Sequence, residues 1–349
     1  MFWRKLITSN NILARSSHGV SVVNINGKNT LVVFGGENLA RTPINSKVHM
    51  LDISKNNTNM TWKEAELSSN NREVDIPEAR IAHTQVSVGS KIYIFGGRQS
   101  VTMEEAPLND FYSFCLNTFT WENLSKPKSG ETPSPRSFHK MLSIGNTLYV
   151  FGGCGAKGRM SDLYSYDIEE RSWAKLPTCE TRIPGRGGAG FVNSSDSKSI
   201  FIVGGFAGKE MNDVFRYDIE TQKYYEVCSQ DDTNINNKLR PFSVSCGGVL
   251  NGNIYYFGGE VDPSQIGHEG AGGFSNDVQV LNGKTGNVIV DGGKLKSDDA
   301  MKPMERGWTD AATFIEDGVE KLVVFGGLSG DDDNPTRLND LWVLEGAMK

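Results

Sequence analysis

A short apolar strand ending in a diglycine occurs six times: LVVFGG (31–36), IYIFGG (92–97), LYVFGG (148–153), IFIVGG (200–205), IYYFGG (254–259) and LVVFGG (322–327). The first glycines, Gly35, Gly96, Gly152, Gly204, Gly258 and Gly326, lie 61, 56, 52, 54 and 68 residues apart. A period of this length marks a repeat architecture in which no unit buries its apolar face alone. The diglycine has a steric reason: a strand ending near a crowded axis must turn with a backbone geometry that excludes a Cβ. An arginine stands 16 to 20 residues before each pair: Arg15, Arg80, Arg136, Arg186, Arg240 and Arg306.

Further strands complete each unit. DLYSYDI (162–168), DVFRYDI (213–219), DVQVL (277–281) and DLWVL (340–344) read as third strands. Trp62, Trp121, Trp173 and Tyr225 read as closing-strand aromatics packed between units, with Val288 or Val290 in the weaker fifth. The last unit stops after its third strand, and Phe2-Trp3-Arg4-Lys5-Leu6 supplies the missing one, with Trp3 in the tryptophan position. Pairing first strand with last closes a ring and removes its edges. The repeat resembles the kelch family. The expected fold is therefore all-β, one domain over 1–349: a six-bladed kelch β-propeller closed by its N-terminal strand.

Function in such a ring falls to the loops around the channel mouth. Arginines at equivalent places in the blades either gather there to attract an anion, or each bridges to an acidic residue of the next blade. Arg136, Arg186, Arg240 and Arg306 are on the first reading ligand-binding residues, with Phe138 and Trp308 covering an apolar part. His18, His83 and His139 share an R-x-x-H pattern and are expected to be inner-strand hydrogen-bonders. The loop from Gly259 to Gly270 sets Glu260, Asp262 and His268 within nine residues. Carboxylate and imidazole suit Fe(II), Mn(II) or Zn(II) if the loop folds so that they converge. Asp331-Asp332-Asp333-Asn334 reads as a solvated turn.

A formal net charge of −6 argues against a general nucleic-acid binder. No apolar run reaches the ~18 residues of a membrane helix. Five cysteines without a CxxC suggest a reducing compartment, with the cytoplasm or nucleus as the expected location.

Several stretches resemble the plant specifier proteins, the family of epithiospecifier, thiocyanate-forming and nitrile-specifier proteins. They are Arg15 to Gly19, Ile92 to Arg98, Arg186 to Phe191, Glu260 to His268 with Ser275-Asn276, and Arg306 to Thr309. The resemblance implies an Fe(II)-dependent diversion of glucosinolate aglycones to nitriles, epithionitriles or thiocyanates. It implies iron ligands in a Glu-x-x-x-Asp-x-x-x-His pattern, of which Glu260 and His268 match while Ser264 replaces the Asp, with Asp262 or a water as the substitute. It implies a substrate arginine at Arg98. A second falls in a loop that is short here, where Arg159 is near without matching. The two functional readings are an Fe(II)-assisted site for a small anionic ligand, and a protein-interaction module receiving an acidic segment of a partner.

Overall fold

The computed structural model describes residues 1–55, 59–99, 107–230, 238–289 and 302–346. Six antiparallel sheets stand in a ring, and the described residues include no α-helix. The inner strands are Gly19–Ile25, Thr84–Val88, Lys140–Ile144, Gly190–Asn193, Cys246–Leu250 and Asp310–Glu316. Each touches the next, and the sixth touches the first, so the ring is closed. Blades are numbered one to six in that order. Five have four strands, and the fifth has three among the described residues. Its fourth position is an isolated bridge from Leu281 to Val288; Val290 lies outside the described residues.

Closure is as expected. Phe2–Leu6 pairs with Thr336–Glu345, setting Trp3 opposite Leu344. Trp3 is 2% exposed and meets Phe257 of the fifth blade edge-on, with 4.8 Å between ring centroids. Trp62, Trp121 and Trp173 are likewise buried. The fourth blade corrects the expectation. Tyr225 is 42% exposed, with the Arg216 guanidinium over its ring, and Tyr224 takes the packed place against Tyr217. Register explains this: Trp121 opposes Phe114, Trp173 opposes Tyr166 and Tyr224 opposes Tyr217. Side chains alternate faces along a strand, so a shift of one residue exchanges inside for outside.

The diglycines stitch the blades together. In five blades the second glycine's N–H donates to the carbonyl of the next blade's repeat arginine, as from Gly36 to Arg80 and from Gly97 to Arg136, both 2.9 Å. The first glycine has positive φ, and a Cβ at Gly35 would lie 2.6 Å from the Arg80 oxygen. At the remaining junction Gly205 donates instead to Phe242. Phe242, fully buried, therefore occupies the fifth repeat position, and Arg240 stands two residues ahead of it.

Candidate functional site: a funnel at the channel mouth

Two residues beyond each repeat position lie Ser17, Ala82, Phe138, Gly188, Val244 and Trp308. All six have left-handed backbones, with φ from 47° at Val244 to 60° at Gly188. Their amides form a closed hoop. Ala82 donates to Ser17, Phe138 to Ala82, Gly188 to Phe138, Val244 to Gly188, Trp308 to Val244, and Ser17 to Trp308, at 2.8 to 3.0 Å. A left-handed conformation is costly for a side chain such as valine's and persists only where surrounding structure over-determines it. Six linked hydrogen bonds do that here. Phe138 and Trp308 belong to opposite blades, and their rings meet edge-to-face at 5.2 Å, flooring the mouth.

The wall above this floor comes from the residue after each diglycine. Glu37, Arg98, Cys154, Phe206, Glu260 and Leu328 each bridge back to the residue following their blade's repeat position. A funnel of about 330 Å³ results, lined by Arg41, Arg98, Arg159, Phe206, Glu260 and the Phe138–Trp308 floor, among others. Arg98 Nε donates to Ser137 Oγ at 2.8 Å and has no carboxylate partner among the described residues. The Arg159 guanidinium lies over the Phe206 ring, 4.5 Å from its centroid. Arg41 reaches Glu269 at 3.7 Å, joining the first blade's hairpin to the fifth blade's loop. Cys154 sits beside Arg98 and Arg159; burial pushes its thiol up, and the two guanidiniums pull it partly back.

The repeat arginines turn elsewhere, which corrects their expected place at the mouth. Arg136 is fully buried and holds Asp162 with both terminal nitrogens, at 2.7 and 3.0 Å. Its Nη1 also donates to the Gly152 carbonyl and its Nε to the Ser134 carbonyl. Arg80 with Asp110, Arg186 with Asp213 and Arg306 with Asp340 repeat this clamp. Each pair lies within one blade rather than between neighbours. The reason is physical: a buried guanidinium needs a fork-matched carboxylate, and the aspartate opening the blade's third strand is the nearest. Arg136, Arg186 and Arg306 thus spend their donors inside the blades. Arg240 pairs with Asp277 and lines a separate depression between the fifth and sixth blades. Arg15 has no such partner among the described residues, because Lys47 stands where the other blades have aspartate, and burial lowers its pKa to about 10.

Of the histidines, His18 Nε2 lies 3.0 Å from the Phe325 carbonyl and His139 Nε2 lies 2.9 Å from Thr84 Oγ1. Both ring nitrogens of His83 are buried without a partner among the described residues. All three lie beneath the floor, and burial drives their pKa values down.

Of the expected metal ligands, Glu260 and Asp262 line different depressions. Glu260 lines the funnel and is 7% exposed; burial, then the neighbouring Glu210, raises its pKa to about 7. Asp262 is exposed and lines the neighbouring depression instead. Ser264 Oγ donates to Asp332 Oδ1 at 2.6 Å, so the hydroxyl in the family's aspartate position is already committed. His268 belongs to the 3-10 turn Gly267–Glu269, and its side chain lies outside the described residues. Among the described residues no three His, Cys, Asp or Glu side chains gather to hold a metal. Asp331 Oδ1 accepts from the amides of Asp333 and Asn334, making the expected turn.

Sequence reasoning missed Arg41, Cys154 and Phe206, and left Arg159 unmatched. The available signal was position: the residue after each diglycine breaks the repeat, and four of those six, Arg98, Cys154, Phe206 and Glu260, line the mouth.

A closed ring of six diglycine blades is a kelch propeller, and the chain belongs to that family. The kelch domain described as "KLHDC2/KLHL20/DRC7 Kelch-repeats domain" matches residues 19–259. Within the family the specifier resemblance is borne out. The chain is 31% identical over 336 residues to the N-(sulfonatooxy)prop-2-enimidothioate sulfolyase of Thlaspi arvense, covering 90% of this chain and 88% of that one. It is also 32% identical over 163 residues to Kelch domain-containing protein 10 of Rattus norvegicus, covering 46% of this chain and only 37% of the relative. The solved structure of YjhT superposes with a TM-score of 0.66 at 15% identity, covering 96% of both chains, a likeness of fold.

Proposed function

We propose that the funnel binds a small amphiphilic anion, in the manner of an organic sulfate such as the sulfonatooxy thioimidate named for the Thlaspi arvense relative. The observation that carries this reading is one cavity in which Arg98 and Arg159 stand above the apolar Phe138–Trp308 floor. Guanidiniums match sulfate oxygens in fork geometry, and an aromatic floor takes the apolar remainder. Were the sulfate to leave, the same cations would stabilise the charge gathering on it. Among the described Glu, Asp and His side chains, Glu260 is the candidate metal ligand that the funnel supplies.

Calorimetry with phenyl sulfate tests the proposal. The parent is expected to bind, and an Arg98→Ala, Arg159→Ala double variant to bind at least about tenfold more weakly, roughly 1.4 kcal/mol. Equal affinities would sink it. Anaerobic titration with Fe(II) checks the metal separately. Binding lost in Glu260→Ala and His268→Ala would restore iron to the site.

A second reading rests on the rim. Leu39 and Ile266, 69% and 55% exposed, flank the funnel on the hairpin and loop joined by Arg41 and Glu269. An acidic segment of a protein partner would use both the rim and the arginines, and its binding would weaken steeply with salt.

A further inference from the structure

The far end of the channel holds a second chamber of about 460 Å³, built from the inner strands and sharing no lining residue with the funnel. Its chemistry differs. Four residues that line it each carry a buried polar atom with no hydrogen-bond partner among the described residues: Ser21 Oγ, Gln85 Oε1, Ser245 Oγ and Tyr256 Oη. Their residues are 2 to 6% exposed. Gln85 gives its Nε2 to the Val32 carbonyl at 3.1 Å, so the orientation that strands Oε1 is fixed. Buried polar groups without partners are rare and costly, and four around one cavity call for an occupant.

Tyr256 breaks the repeat. Two residues before the diglycine the other five blades carry Val33, Ile94, Val150, Ile202 and Val324, every one fully buried. The chain makes room for the phenol with two glycines. A Cβ at Gly190 would lie 2.5 Å from Tyr256 Cε1, and one at Gly247 would lie 2.7 Å from Cδ1. Phe242, where four other blades keep a clamped arginine, packs against the ring at 5.6 Å. Three departures from the repeat thus converge on one hydroxyl that nothing described satisfies.

We propose that this chamber is a second binding site, for a small neutral polyhydroxylated molecule such as a monosaccharide or cyclitol. Three hydroxyls and an amide oxygen offer both donors and acceptors without net charge. Its charged lining residues are Lys140 and Asp310, of opposite sign, and Glu320, whose carboxylate accepts the Asn251 amide. The volume falls in the range of small-ligand sites. Ordered water is the competing occupant.

Saturation-transfer NMR with D-glucose and with myo-inositol, at about 10 mM, decides between them. The parent is expected to give transfer to one of the two. Tyr256→Phe, which keeps the ring between its glycines, should weaken that binding at least tenfold, and Ser245→Ala should weaken it too. The Arg98→Ala, Arg159→Ala variant should bind unchanged, separating this site from the funnel. No transfer to either probe, undiminished binding in Tyr256→Phe, or a crystal soaked in the probe that shows water alone against the four atoms would overturn the proposal.

Discussion

Two populations of arginine occupy this ring, and they differ in what surrounds the guanidinium. Arg80, Arg136, Arg186 and Arg306 are 0 to 1% exposed, forked to an aspartate and further held by backbone carbonyls. Arg98 and Arg159 are partly or wholly exposed, stand among aromatic and apolar groups, and have no carboxylate partner among the described residues. The first set recurs with the repeat; the second does not. In a repeat protein, recurrence marks what every blade needs to stand, and departure marks what one blade adds.

The largest effect should come from breaking a clamp. Asp162→Ala leaves the Arg136 charge buried and unpaired, and denaturant unfolding should show a loss of about 3–5 kcal/mol. A loss under about 1 kcal/mol would mean that the clamps are incidental.

Asp310 sharpens the contrast from the acidic side. It accepts the Val20 amide at 2.8 Å, yet burial raises its carboxyl to about 6. A carboxyl whose folded pKa exceeds its unfolded value stabilises below the unfolded value, near 3.9, and loses that contribution as pH rises through about 6. Asp310→Asn should therefore gain on the order of 1–3 kcal/mol over the parent at pH 8 and nothing at pH 3. Thermal unfolding at the two pH values checks this, and a pH-independent difference refutes it.

Next comes the funnel pair, where Arg98→Ala with Arg159→Ala should leave stability within about 0.5 kcal/mol while phenyl sulfate affinity falls. A loss of fold instead would place these arginines with the clamps. The smallest effect tests the first blade, where Arg15 lacks a carboxylate. Lys47→Asp installs one at the clamp position and should raise stability by about 1 kcal/mol, read from the denaturation midpoint.

Much of this was legible in the sequence because it recurs. Six diglycines gave the blade count, and Trp3 gave the closing strand. The clamps were half-legible: the arginines were visible, and so were the aspartates opening DLYSYDI, DVFRYDI and DLWVL, but spacing does not say which way a guanidinium turns. Arg240 misled because a tolerance of 16 to 20 residues hides a shift of two, and only the hydrogen bond from Gly205 shows Phe242 in the repeat position. Tyr225 misled by one residue for the same reason. Cys154 and Phe206 escaped because the residue after a diglycine varies from blade to blade, and Arg41 because it belongs to no pattern; three-dimensional closure brings all three to the funnel that Arg98 and Glu260 line.

The hydrogen-bonded hoop, stoppered by Phe138 and Trp308, makes the molecule two cups set base to base rather than a pipe. A compound entering one cup does not emerge from the other, and molecules in the two need not compete. The hoop that floors one cup leads directly into the inner strands that wall the other, so the two are built on one continuous backbone.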